Sequence, residues 1–212
     1  MNKTLVQVLG AVAYGELKAH EKANEQAAAA LDDASRRRFR KVAAEELRHY
    51  KGFIKRLRAL GADPDRAMNP FRVPLDRYHS HGTTDAVASG VFDYLGEGVA
   101  DDLLHWLRQV VDPETAAFID TVVADEVEHE AAAAAQLRSL LAEAPHGKRR
   151  AARAAQQMLM HMVWSGRDRP ATFAAFLRLG RPGELLGALA AGHVRRMRAI
   201  GLGPVGLPVP LP

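Results

Sequence analysis

The chain has 212 residues, of which 48% are hydrophobic, and this is enough to bury the core of one large domain. It has no cysteine, which excludes disulfides, thiolate catalysis and iron–sulfur or rubredoxin-type iron within this chain. The net charge of +4 allows an acidic partner without identifying one. We expect a cytoplasmic protein with no membrane span and no signal peptide, because no apolar run is long enough and the first residues lead directly into a patterned helix.

The first two predicted helices each carry a metal-ligand type of side chain within an apolar stripe. The first spans about residues 2–31 and has Glu16 near its middle. A short polar break precedes the second helix, which ends at Gly61 and carries Glu46 and His49 on its apolar face. Because a charge on such a face is costly without a partner, these side chains are candidate ligands.

Residues 61–84 are predicted to form a long, non-helical crossover. Three prolines and a glycine interrupt the helical period there. Two antiparallel hairpins need such a connection in order to bring equivalent faces together. A third helix is predicted over about residues 84–111, with Glu97 near its middle, and a fourth over about residues 113–141.

Further helices are predicted beyond the fourth. They cover about residues 148–164, 171–179 and 182–200, and a proline-rich, extended tail covers residues 201–212. The predicted fold is therefore all-α, with one domain over residues 1–212. It consists of a four-helix bundle at about residues 2–142, a carboxy-terminal helical extension at about 146–200, and the tail.

One pattern occurs twice in the chain: a glutamate, about thirty residues, and then Glu-x-x-His. Glutamate and histidine at i and i+3 project from the same face of a helix. This is the ligand set of a dinuclear carboxylate-bridged metal site in a four-helix bundle. The predicted ligands are Glu16, Glu46, His49, Glu97, Glu126 and His129.

Carboxylates and imidazoles suit iron, and we expect two Fe ions, with Mn as the alternative. Glu46 and Glu126 are assigned as bridges, since each shares its helix with a ligand histidine. The remaining glutamate and histidine of each hairpin then complete the coordination of one ion. Glu45 and Asp125 precede the bridges and are candidates to accept the second ring N–H of a ligand histidine. Tyr94 and His20 are further candidates to support the ligands. The alternative for Tyr94 is a packing role, and the alternative for His20 is a position on the flank of the helix.

These six positions resemble the signature of the ferritin-like non-haem di-iron superfamily over about residues 2–142, which implies a ferritin-like four-helix bundle. Within that superfamily the chain is similar to the MiaE-like group, which is named after a tRNA hydroxylase. The segment His193–Leu202 also resembles the end of actinobacterial members. The resemblance implies a di-iron monooxygenase that uses dioxygen as co-substrate and hydroxylates a C–H bond, with a modified tRNA nucleoside as one substrate class.

The resemblance also implies an external electron donor, a ferredoxin or a reductase, because no flavin or iron–sulfur motif is present. We expect a monomer or small oligomer. Three alternatives stay open: a ferroxidase or iron-storage protein, a peroxide-scavenging ferritin-like protein, and a tailoring oxygenase acting on a small molecule. Basic clusters near residues 36–41, 148–153 and 195–198 are compatible with solvated helix faces, tRNA binding or ferredoxin docking.

Overall fold

The computed structural model describes residues 2–167 and 170–203, and every regular element in these ranges is a helix. The helices are α1 (Lys3–Ala29), α2 (Asp33–Ala59), α3 (Pro64–His79), α4 (Ala86–Leu107), α5 (Pro113–Glu143), α6 (Gly147–Gly166), α7 (Pro170–Leu179) and α8 (Pro182–Ala199). The all-α prediction is confirmed. Residues 204–212, which belong to the predicted extended tail, lie outside the described residues.

The helices group into two compact units. The first unit contains α1, α2, α3 and α7, and the second contains α4, α5, α6 and α8. Each predicted hairpin lies within one unit: α1 packs on α2 in the first, and α4 packs on α5 in the second. Among the described helices, none combines the length and the apolar character that crossing a bilayer requires.

Short polar residues set the ends of the first hairpin. The Asp32 carboxylate caps α2 by accepting from the Ser35 backbone N–H at 2.8 Å and from the Ser35 hydroxyl at 2.7 Å. Gly61 follows the last turn of α2 with φ +72°, and its N–H donates to the Arg58 carbonyl at 2.9 Å. This left-handed conformation suits glycine and ends the helix where the sequence predicted.

The predicted non-helical crossover is wrong, because most of it is the helix α3. Pro64 takes the first helical position, where a missing N–H costs nothing. Pro70 and Pro74 lie inside the helix one turn apart, so the hydrogen bonds that they remove fall close together on one side. Packing offsets this loss, since α3 buries Met68 and Phe71 and contacts α1.

Two contacts hold α3 against α1. A Cβ atom at Gly10 would collide with the backbone carbonyl of Ala67, so the two helices approach as closely as they do because residue 10 is glycine. At the far end of α3, the Tyr14 hydroxyl donates to the Asp76 carboxylate at 2.6 Å. The second contact lies two residues before Glu16 and helps to fix the part of α1 that carries it.

In the second unit, α4 is the central element and packs against α5, α6 and α8. The core of this unit consists of apolar side chains from all four helices and the residues after α8. It includes Val87, Val91, Phe92, Tyr94, Leu95, Leu137, Leu141, Ala151, Ala154, Met158, Met197, Ile200 and Leu202. Arg150 of α6 donates to the Asp85 carboxylate at 2.6 Å, and Asp85 also caps α4.

Candidate metal centre

Three of the predicted ligands meet in the first unit. Glu16 of α1, and Glu46 and His49 of α2, are buried, with exposed fractions of 8%, 6% and 1%. Nδ1 of His49 lies 3.4 Å from Oε2 of Glu16 and 3.5 Å from Oε2 of Glu46. One potential ligand atom from each of the three residues lies within 4.8 Å of the others.

These separations suit a shared metal ion better than direct hydrogen bonds. A charge-assisted N–H···O bond has its heavy atoms about 2.8 Å apart. A first-row ion about 2.1 Å from each ligand holds neighbouring ligand atoms about 3.0–3.4 Å apart, depending on its coordination number. One observed distance, 3.4 Å, lies at the upper end of the second range, and the other, 3.5 Å, lies just above it. The donor set, two carboxylates and one imidazole in a buried position, therefore fits a transition-metal ion such as iron or manganese.

Local sequence explains why these side chains converge. Glu46 and His49 are at i and i+3, so both leave α2 on one face. His20 lies one turn after Glu16, and its Nδ1 lies 2.7 Å from the Ala43 carbonyl oxygen of α2, which fixes the separation of the two helices near the site. His20 thus contacts the backbone of the partner helix. The side chain of Glu45 is nearly buried, at 12% exposure, and its Oε1 lies 3.6 Å from Nζ of Lys41 on the same helix.

The second unit brings together two of its three predicted ligands. Nδ1 of His129 lies 3.2 Å from Oε2 of Glu126, and both side chains are nearly buried, at 13% and 12% exposure. Glu97, in contrast, is an exposed residue of α4. Asp125, the residue before Glu126, is half-buried. That Glu97 is a metal ligand, and that Asp125 accepts the second ring N–H of a ligand histidine, stay predictions.

Tyr94 is buried in the core of the second unit. Its hydroxyl oxygen has no hydrogen-bond partner among the described residues. Burial raises the pKa of Tyr94 to about 12, and the negative charge of Glu130 acts in the same direction. The ring is therefore a neutral phenol throughout the physiological pH range.

A buried charge network next to Glu126 was missed at the sequence level. Arg196 of α8 is 1% exposed, and it donates to Asp102 of α4 and, at 3.2 Å, to Glu130 of α5. Arg195 lies 3.4 Å from each of the same two carboxylates. The network joins three helices of the second unit and fixes α5 one turn after Glu126. The signal that could have revealed it is the position of Glu130, four residues after Glu126 on the same face.

Asp101 is the other residue that sequence reasoning missed. It is 7% exposed and lies one helical turn after Glu97 on α4. Burial raises the pKa of its carboxyl well above the usual range, and the charges of Glu126 and Glu97 add to this effect, while Arg196 opposes it. The available signal was the pair Asp101 and Asp102 directly before the apolar residues Leu103 and Leu104 of α4.

Comparisons with known proteins agree with this architecture. Residues 1–171 match the model of the family described as "Ferritin-like domain, actinomycetes". Among solved structures, the chain is similar to "Protein 19 with aldehyde deformylating oxidase activity" from Synechococcus. The TM-score is 0.70 at 20% identity, and the alignment covers 96% of this chain and 92% of the other.

No curated protein matches the chain. Neither the family match nor the structural match singles out the MiaE-like group, so that narrower assignment stays a prediction. The predicted ferritin-like helical bundle is confirmed by the structural match. Since the family match covers well over half of the sequence, the chain belongs to the ferritin-like domain family of actinomycetes.

Proposed function

We propose that this protein is a non-haem di-iron oxygenase that hydroxylates a C–H bond of an organic substrate. The observation that carries the proposal is the convergence of Glu16, Glu46 and His49 at a buried position with metal-ligand spacing. The sequence repeats the same ligand types in the second hairpin, where Glu126 and His129 are in contact. The ferritin-like fold, and the oxidase activity for which the similar Synechococcus protein is named, support the same class of chemistry.

In this proposal Glu16, Glu46, His49, Glu97, Glu126 and His129 would hold two iron ions, and Glu46 and Glu126 would be the ligands that serve both. A bound iron pair supplies the redox chemistry for dioxygen activation. The residues of the chain bind the ions, orient the imidazoles and keep water out of the first unit's site, where all three side chains are buried.

Hydroxylation consumes one dioxygen, two electrons and two protons, and it yields the alcohol and one water. The electrons come from an external ferredoxin or reductase, because this chain contains no cysteine for an iron–sulfur centre. Two substrate classes fit the proposal. The MiaE-like resemblance supports a modified tRNA nucleoside, and the aldehyde deformylating activity named for the Synechococcus protein supports an aldehyde or another small molecule. Salt-dependent binding of tRNA to the purified protein would favour the first class, and its absence would favour the second.

The metal assignment is tested by substituting the proposed bridges. We expect two Fe ions per wild-type chain, and loss of most of the dinuclear centre in Glu46→Ala and in Glu126→Ala. Metal content and Mössbauer spectra of protein loaded with Fe(II) without oxygen measure this. Glu25→Ala and Glu128→Ala are matched controls, because both residues are exposed glutamates outside the ligand set. Full occupancy of both ions in either bridge variant would refute the bridging assignment.

Iron oxidation or storage is the rival function. The size of the assembly in solution and the number of Fe(II) ions that it oxidises distinguish this function from an oxygenase. We propose a monomer or small oligomer, and the helices α6, α7 and α8 beyond the two hairpins favour this over a shell subunit. A large hollow assembly that continues to oxidise Fe(II) and deposits a mineral core would exclude the oxygenase.

A further inference from the structure

The outer face of α2 is basic along almost its whole length. Between residues 35 and 58, every exposed residue of this helix except Ala44 is an arginine or a lysine. Their helical spacing places them on one side of α2, in a basic stripe that is about 32 Å long. The basic stripe consists of Arg37, Arg40, Lys41, Arg48, Lys51, Lys55 and Arg58.

Almost no negative charge accompanies the basic stripe on α2. The one exposed acidic residue of this helix, Asp33, lies in its first turn. The Nζ atom of Lys41 lies 3.6 Å from Oε1 of Glu45, whose side chain is itself nearly buried. The helix therefore presents a row of positive charges to any partner that approaches it from solvent.

The other helices with predicted ligands have acidic or mixed outer faces. Exposed glutamates and aspartates occur on all three of them, at Glu21 and Glu25 of α1, Glu97 of α4, and Glu114, Asp120 and Glu128 of α5. A negatively charged partner is therefore attracted to α2 and repelled by the acidic residues of α1, α4 and α5.

The basic stripe lies directly behind two of the predicted metal ligands. Glu46 and His49 project from the opposite, buried face of α2, at a level between Lys41 and Lys51. An α-helix with its side chains is about 10–12 Å across, so only this thickness of protein separates the stripe from these ligands. Electron transfer slows steeply with distance, and a donor bound to the stripe is therefore close enough to reduce an ion held by Glu46 and His49.

The composition of the outer face indicates the kind of partner. No large apolar residue of α2 is exposed, so the helix lacks the side chains that a membrane-surface helix inserts into lipid. It also exposes no aromatic ring on which a nucleic-acid base could stack. Small, polar interfaces are typical of electron-transfer partners, which must dissociate after each encounter.

We propose that the basic stripe of α2 is the docking surface for an acidic protein that donates one electron at a time. This inference rests on the proposed function and deepens it, because it assigns the electron donor to one helix. Each docking event oxidises the donor by one electron and reduces the iron pair by one electron. Two events supply the two electrons of a turnover, and the two protons come from water.

The probe for the test is an acidic [2Fe–2S] ferredoxin. Its binding to the full chain is followed by biolayer interferometry at low and high salt, with metal-free and with iron-loaded protein. The stripe variant combines charge reversals at three exposed positions outside the ligand set: Arg40→Glu, Lys51→Glu and Lys55→Glu. Metal analysis and circular dichroism report whether the variant still binds iron and folds.

A matched control changes the net charge by the same amount elsewhere. It reverses one exposed arginine on each of α3, α6 and α7: Arg66→Glu, Arg153→Glu and Arg178→Glu. A second stripe variant, with glutamine at residues 40, 51 and 55, removes the three charges with a residue that favours helices. It keeps the test decisive if charge reversal disturbs the folding of α2.

We expect wild-type binding to weaken as the salt concentration rises. In the stripe variant the association rate constant should fall by at least about tenfold, since steering by complementary charge typically contributes about 10- to 1000-fold. The control should associate at nearly the wild-type rate. The rate at which iron-loaded protein oxidises reduced ferredoxin should fall in parallel with association.

Three results would overturn the inference and leave the di-iron proposal intact, because metal content decides the latter separately. The first is an equal effect of the stripe variant and the control, and the second is the absence of ferredoxin binding by the wild type at low salt. The third is a stripe variant that binds ferredoxin normally but loses binding of tRNA or of anionic vesicles. A wild-type chain that binds no iron pair would instead overturn the proposed function, and the inference with it.

Discussion

At the scale of single residues, the buried charged side chains of this protein differ in what offsets the free-energy cost of removing them from water. For Arg196 this cost is offset by ion pairs with two carboxylates. Removing one partner of such a buried ion pair is expected to destabilise the fold by about 3–5 kcal/mol. Glu16 and Glu46 lie beside the imidazole of His49, in a geometry in which a bound metal ion would offset the cost. The approach of Glu46 to His49 follows from helix periodicity, whereas Glu16 and Arg196 find their partners in distant parts of the sequence.

The imidazole of His79 makes the stability of the first unit depend on pH. Burial lowers the pKa of His79 to about 4, and the positive charges of Lys22 and Lys18 act in the same direction. The unfolded chain, with a histidine pKa of about 6.5, binds more protons between about pH 6.5 and 4. The contribution of the neutral His79 imidazole to the free energy of unfolding is therefore complete above about pH 6.5, and it is lost as the pH falls towards 4.

We expect His79→Gln to weaken this pH dependence. Relative to the variant, the wild type should lose at most about 3 kcal/mol of unfolding free energy between about pH 7 and pH 4. Urea unfolding of both proteins at several pH values measures the difference. His146→Gln, at an exposed position, is the control. Parallel pH profiles for the wild type and His79→Gln would contradict the prediction.

At the scale of helices, the sequence predicted most elements and failed where tertiary packing overrides a local signal. The two hairpins and the helices after them follow from apolar periodicity and capping residues, and their ends agree with the structure within a few residues. The helix α3 was missed because Pro70 and Pro74 are strong local breakers. The helix α3 is stabilised because Met68 and Phe71 are buried within the first unit, and this burial cannot be seen in the local sequence.

In the candidate site, too, the local contacts were predictable from the sequence and the burial set by tertiary packing was not. Spacing at i and i+3 predicted that Glu46 approaches His49 and that Glu126 approaches His129, and both contacts are present. The pairing of Glu16 with His49 required only that the hairpin be correct. The burial of Asp101 instead depends on how α5 and α8 pack around α4, which a single sequence does not reveal.

Close packing of α8 on α4 depends on Gly98. A Cβ atom at this position would overlap the guanidinium group of Arg196, which has no free space because it is fully buried. We expect Gly98→Ala to destabilise the protein by about 1–3 kcal/mol, since the added methyl group displaces Arg196 from Asp102. Chemical denaturation measures the change.

Gly187→Ala on α8 is the matched control, because a Cβ atom at residue 187 would meet nothing within 4 Å. There the better helix propensity of alanine should leave stability unchanged or raise it by about 0.5–1 kcal/mol. If both substitutions change stability in the same direction and by similar amounts, Gly98 has no special packing role.

At the scale of the whole molecule, the metal ligands are divided between the two units. Glu16, Glu46 and His49 belong to the first, and Glu126 and His129 belong to the second. Each group brings carboxylates into a partly or fully buried position, which costs folding free energy in the absence of a cation. Metal binding and folding should therefore be coupled throughout the chain.

We accordingly expect Fe(II) or Mn(II) to raise the midpoint of thermal unfolding. A ligand at about a hundred times its dissociation constant stabilises the folded state by about 2.7 kcal/mol for one site. For a chain of this length that corresponds to roughly 5–10 °C. Differential scanning calorimetry of the apo protein, with and without Mn(II), avoids oxidation during heating. Combining Glu16→Ala with Glu126→Ala should abolish the increase, whereas combining Glu25→Ala with Glu128→Ala should retain it. Equal midpoints for the wild-type protein with and without saturating metal would contradict a buried, folded-state metal site.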